Sequence, residues 1–159
     1  MKNLLIVLCC FFLINLTAQD WKTFTYNKEV LDIEKEGSTL WIATSGGLLE
    51  WDLPTGTYTK LSTVDGLISN RINQIAVDVD GRKWLATGRG VLVIDGTNIT
   101  SYDVEGGLYA DEVNSLVIDS EGNKWFGTKN EFGHSGITKV NSDTTFVKSN
   151  FDHSNLRLE

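Results

Sequence analysis

Beyond its first 18 residues the chain has no cysteine, because Cys9 and Cys10 both lie inside that stretch. No disulfide can then staple the remainder. Histidine occurs only twice, as His134 and His153, and neither stands at the acid or serine spacing of a nucleophilic triad. No glycine-rich phosphate loop is present either, since Gly88-Arg89-Gly90 leads into a strand-like segment and not into a helix. Positive charge is scarce: 14 Lys and Arg face 21 Asp and Glu, a net charge of −7. Such a surface repels nucleic acid and anionic lipid, and no run of like charge stands out. These absences argue against catalysis, nucleic-acid partners and any cofactor.

The N-terminal stretch has the form of a signal peptide. Lys2 is its basic start, the apolar run spans residues 4–16, and Leu16-Thr17-Ala18 precedes Gln19 as a small-residue cleavage site. The run is short of the roughly 20 residues that a membrane span needs. Export is the expectation, with both cysteines removed. A lipid-modified cysteine is the alternative, although Leu8 stands where a small residue is expected. Loss of Lys2 would leave about −8 on residues 19–159, with no membrane span among them.

What the chain has is repetition. Leu40-Trp41-Ile42-Ala43-Thr44, Lys83-Trp84-Leu85-Ala86-Thr87 and Lys124-Trp125-Phe126-Gly127-Thr128 share one pattern. Gly66, Leu67, Asn73, Asp78, Gly81 and Trp84 recur as Gly107, Leu108, Asn114, Asp119, Gly122 and Trp125, each 41 residues later. A period near 40 built from strand-like segments indicates a β-propeller blade of four strands. The second repeat predicts strands at 71–78, 83–87, 91–94 and 99–103, with Asp80-Gly81 as a tight two-residue hairpin turn. The third predicts 112–119, 124–128, 137–140 and 145–148, turning at Glu121-Gly122. The first is shorter at its start, with 30–33, 39–44, 48–52 and 58–61.

The blades thus occupy 27–62, 63–103 and 104–149, preceded by an outer closing strand within 19–26 and followed at 150–159 by the start of a further loop or a tail. Closed propellers have about four to eight blades. Three are expected to form an incomplete ring, an all-β partial propeller that reads as the N-terminal part of a longer protein. Its open edge at 146–149 would accept the missing blades or another protein chain.

Asn73-Gln74-Ile75-Ala76-Val77-Asp78 with Asp80-Gly81-Arg82-Lys83-Trp84-Leu85-Ala86-Thr87, and the matching run from Asn114 to Thr128, resemble the two-component regulator propeller repeat. Asp65-Gly66-Leu67-Ile68-Ser69-Asn70 resembles the loop before each inner strand of that family. The resemblance implies the periplasmic sensor half of a hybrid histidine kinase, in a family whose propellers often respond to glycans. Related surface or secreted propellers carry no kinase. The chain departs from the family's full pattern in having no span after the blades, no kinase histidine box and no DNA-binding module.

Candidate residues divide into two sets. Trp41, Trp84 and Trp125 recur on one interior strand, which favours packing between blades over sugar stacking. Thr44, Thr87 and Thr128 follow them as hydrogen-bonding partners, and Gly81 and Gly122 as turn residues. Asp78-Val79-Asp80-Gly81 and Asp119-Ser120-Glu121-Gly122 could be hairpin turns or weak calcium loops, and two acids each fall short of six oxygens. The second set follows from topology, because loops entering inner strands and loops joining second and third strands share one end of a propeller. They carry Asn70, Arg89, Tyr109, Asp111, Phe132 and His134, the candidate ligand surface. A five-residue insertion at 129–135 enlarges that end. The expected function is a non-enzymatic extracytoplasmic sensor or binding segment reading a carbohydrate or envelope ligand, and the alternative is a surface or secretion-associated propeller working through protein contacts.

Overall fold

The structure, a computed structural model, describes residues 28–141 and 146–150. The expected signal peptide, the closing strand at 19–26, the tail at 151–159 and His153 lie outside the described residues. Twelve strands follow one another: β1 (Val30–Glu36), β2 (Thr39–Thr44), β3 (Gly47–Asp52), β4 (Thr57–Leu61), β5 (Ile72–Val77), β6 (Lys83–Thr87), β7 (Gly90–Asp95), β8 (Asn98–Tyr102), β9 (Glu112–Ile118), β10 (Lys124–Lys129), β11 (Ser135–Val140) and β12 (Phe146–Asn150). They form three antiparallel four-stranded meanders, β1–β4, β5–β8 and β9–β12. These are the blades of an incomplete β-propeller, with β1, β5 and β9 side by side as inner strands. No helix among the described residues is long and apolar enough to cross a membrane.

Alternation assigns each side chain to one of two faces. In the middle blade both faces are covered. Leu85, Leu92 and Ile94 pack with Trp41, Ala43 and Leu48 of blade 1, whereas Trp84, Ala86, Val91 and Val93 pack with Leu116, Phe126 and Val140 of blade 3. That explains the unbroken apolar run of β7, which is buried at every position from Val91 to Ile94. On the flanking blades the outward faces stay wet, with Ile33 54% and Val117 58% exposed.

The inner strand breaks alternation on purpose. Ile72 and Ile75, three apart, both face blade 1 because a bulge at Asn73 lets Ile72 pair with Thr87 and Gln74 with Ala86. β1 and β9 carry the same irregularity.

Three expectations need correction. The inner strand of blade 1 is not short: β1 has seven residues, as many as β9, because Lys35 and Glu36 continue the ladder onto Leu40 and Thr39. Asp80-Gly81 is not a two-residue hairpin. Asp78 and Arg82 close a three-residue loop, in which the Gly81 amide donates to the Asp78 carbonyl and Gly81 takes φ +79°. Finally, β12 is the outermost strand of its blade just as β4 and β8 are of theirs, so its edge is not specially open. What blade 3 leaves bare is a face.

Candidate functional site

The register fixes which loops share an end. Ile72 pairs with Thr87 and Thr87 with Gly90, so the loop entering β5 and the β6–β7 turn are neighbours. Each entering loop crosses from one blade onto the next: Ile68 reaches Gly90, and Tyr109 packs on Gly136 while its amide donates to Thr138 Oγ1 at 3.0 Å. All six candidate residues therefore sit at one end.

They are not equivalent there. Asn70 Oδ1 accepts from the Thr63 amide at 2.9 Å, and Asp111 Oδ1 accepts from the Val104 amide at 2.9 Å. Both side chains close their own loops at matching positions of the repeat, and Tyr109 is half-buried against β11. Arg89, Phe132 and His134 are exposed, with Phe132 77% accessible. Phe132 and His134 both donate their amides to Asn130 Oδ1, at 3.1 and 2.9 Å, so the inserted loop is an ordered turn. A depression of about 290 Å³ opens nearby between Asn114, Lys129, Ser135 and Gly136, and none of the six lines it.

The threonines hold the β2–β3-type turns. Thr87 Oγ1 donates to the Gly90 carbonyl at 2.8 Å and accepts from the Arg89 amide at 3.1 Å, and Thr44 does the same with Gly47 and Gly46. Thr128 spans the longer third loop to the Gly136 carbonyl at 3.1 Å. Gly90 is required beside it, because φ is +119° and a Cβ would run into the Tyr102 carbonyl oxygen.

At the opposite end the aspartates face inward on their own turns. Asp78 Oδ1 accepts from the amides of Asp80 and Arg82, each at 3.0 Å, while Oδ2 accepts from Arg82 Nε at 2.9 Å and Trp84 Nε1 at 3.0 Å. Burial opposes the charged form of Asp78, but these hydrogen bonds outweigh it and hold the carboxyl below its usual range. In blade 3, Trp125 Nε1 and Asn123 Nδ2 donate to Asp119 and lower its pKa to about 2. Oxygens so engaged serve the turn, and among the described residues no group of three or more His, Cys, Asp or Glu could hold a metal ion.

Sequence reasoning missed the residues that join the blades. Glu36 Oε2 accepts from Trp41 Nε1 at 2.8 Å and pairs with Lys83 Nζ at 2.9 Å across the first joint. Asp32 Oδ2 accepts from the Ile75 amide, and Gln74 Oε1 from the Leu116 amide. A signal existed: an acid six residues before Trp84 and Trp125, and five before Trp41, where the longer glutamate offsets the shorter turn.

No protein-family model matches the chain, and no curated protein matches it. Solved structures do. The chain is similar to the extracellular domain of a protein assigned as a hybrid two-component system in B. thetaiotaomicron, with 28% identity and a TM-score of 0.65 over 79% of this chain and 17% of that one. An extracellular domain assigned to a one-component system of the same organism has 25% identity and a TM-score of 0.65, over 78% and 18%. A gluconolactonase from Xanthomonas campestris, 19% identical with a TM-score of 0.57 over 79% and 48%, shares the fold alone. The chain spans less than a fifth of the length of the two extracellular domains. The chain thus resembles part of these extracellular propeller-like domains in sequence as well as in shape.

Proposed function

We propose that this chain is a non-enzymatic segment of an exported sensor propeller that reads a carbohydrate or envelope ligand with its loop end. The likeness to extracellular domains of signalling proteins, at 28% and 25% identity, carries the reading. All five of Asn70, Arg89, Asp111, Phe132 and His134 are exposed, but Asn70 and Asp111 spend an oxygen on closing their own loops, which leaves Arg89, Phe132 and His134 as the contact residues of choice. An exposed aromatic ring offers a face to a sugar, and a guanidinium offers paired donors to a carboxylate or to ring hydroxyls. The blades then act as a rigid scaffold for adaptable loops.

The test is calorimetry of the full chain against a panel of soluble polysaccharides and peptidoglycan fragments. Binding that is lost in Arg89→Ala and Phe132→Ala, with unchanged melting, supports the reading. Binding unaffected by both substitutions moves the site away from this end. A second reading, a surface propeller that works through protein contacts, draws on the apolar free face of blade 3, where Val117 and Ile137 flank Trp125. Polysaccharide turnover in the same panel would overturn the non-enzymatic assignment.

A further inference from the structure

Three departures from the repeat converge on one spot at the loop end of blade 3. The inner-strand position from which Asp32 and Gln74 accept a neighbouring amide holds the shorter Ser115, and the buried alanine paired with it, Ala43 or Ala86, is replaced by Gly127. The hairpin above them is longer. Blades 1 and 2 end their ladders where Thr44 pairs with Gly47 and Thr87 with Gly90, whereas blade 3 adds a rung in which Lys129 pairs with Ser135. Asn130 closes the turn beyond that rung through the His134 carbonyl. Less side chain below and more hairpin above leave the depression of about 290 Å³ between Asn114, Ser115, Gly127, Lys129, Ser135 and Gly136. It is near the small end of ligand sites, roughly 300–1,000 Å³, and has room for one ring.

We propose that this depression takes one ring of an uncharged sugar, its hydroxyls bound by Asn114, Ser115, Lys129 and Ser135. The inference rests on the reading of the loop end as a carbohydrate surface, and it moves the contacts from the loop tips to the base of the inserted hairpin. Among the described residues no hydrogen bond or ion pair engages the Ser115 and Ser135 hydroxyls or Lys129 Nζ, so a ligand meets two groups that both donate and accept and one that donates. Charge selects against an acid. Glu112 stands directly opposite Lys129 in the ladder, Glu131 follows two residues later and the chain carries −7, so the ammonium brings no net positive field for a carboxylate. The site also stays reachable at a joint. Gly88, which holds the position of Lys129 in blade 2, is exposed although blade 3 packs on that face.

The test is NMR titration of the full chain with glucose, galactose, xylose, glucuronate and galacturonate, read at the backbone amides. At least one neutral sugar is expected to shift Asn114, Lys129 and Ser135, and the uronate of the same ring to bind more weakly. Lys129→Met removes a charged donor from an exposed position and should weaken that binding about tenfold. Gly127→Ala gives blade 3 the residue that blades 1 and 2 carry, so melting should hold, while its Cβ takes the space at the Ser115 hydroxyl and should abolish the shifts. A uronate that binds as tightly as its neutral counterpart overturns the proposal, as do shifts that survive both substitutions. Shifts that gather on Arg89 and Phe132 and spare Asn114 and Lys129 overturn it too, and leave the carbohydrate reading standing. If none of the five sugars binds, the proposal falls, and calorimetry with polysaccharides decides the wider reading by itself.

Discussion

Lys124 Nζ lies 5.0 Å from the centre of the Trp84 ring, and both side chains are buried in the joint between blades 2 and 3. Lys124 is 3% exposed, so its charge depends on Asp78 and on the indole face. Lys124→Met keeps the stem and removes the ammonium, leaving Asp78 with Arg82 as its only cationic partner among the described residues. We expect a loss of about 1–3 kcal/mol, read from urea unfolding. Unchanged stability would show that the ammonium adds nothing to the joint.

Trp84→Ala should be costlier, about 3–5 kcal/mol, because the ring fills the joint against Phe126 and Tyr102. Trp84→Phe should recover most of the packing but not the hydrogen bond to Asp78, so it should fall between the two in thermal melts. A phenylalanine variant as weak as the alanine one would assign the tryptophan's main role to its indole N–H.

Gly90→Ala introduces a Cβ at φ +119° against the Tyr102 carbonyl, where backbone cannot yield cheaply. A loss of about 2–4 kcal/mol is expected in chemical denaturation. Gly122→Ala meets nothing within 4 Å and bears only its φ of +81°, so its loss should be smaller, about 1 kcal/mol. Reversal of that order would remove the steric argument.

Acid should unfold the protein in a defined window. The carboxyls of Glu36, Asp78 and Asp119 lie below their ordinary values in the folded state, that of Asp119 at about 2. Each therefore contributes stability that is fully present above its unfolded value near 4 and is lost as pH falls through the folded value. Melting temperature should hold at neutral pH and drop from about pH 4 towards pH 2. Asp119→Asn should flatten part of that drop, and NMR titration of the Asp119 carboxyl checks the value directly.

The three blades, their four strands and most turn positions were legible in the sequence because their causes are local. Alternating apolar residues, a glycine after Asp80 or Glu121, and the Trp-x-x-Thr run each act within one hairpin. The joints were not legible in that way. Glu36 and Lys83, Asp32 and Ile75, and Gln74 and Leu116 are 42 to 47 residues apart, and only the stacking of whole blades brings them within bonding distance. The candidate ligand end shows the same division. Topology put its six residues together from sequence, but Asn70 and Asp111 look as free as Arg89 until the folded loops supply the Thr63 and Val104 amides that they bind. Sequence alone thus determined what each blade is. Tertiary structure decided which way each blade faces its neighbour, because facing is set by a bulge and by charges that meet only across the fold.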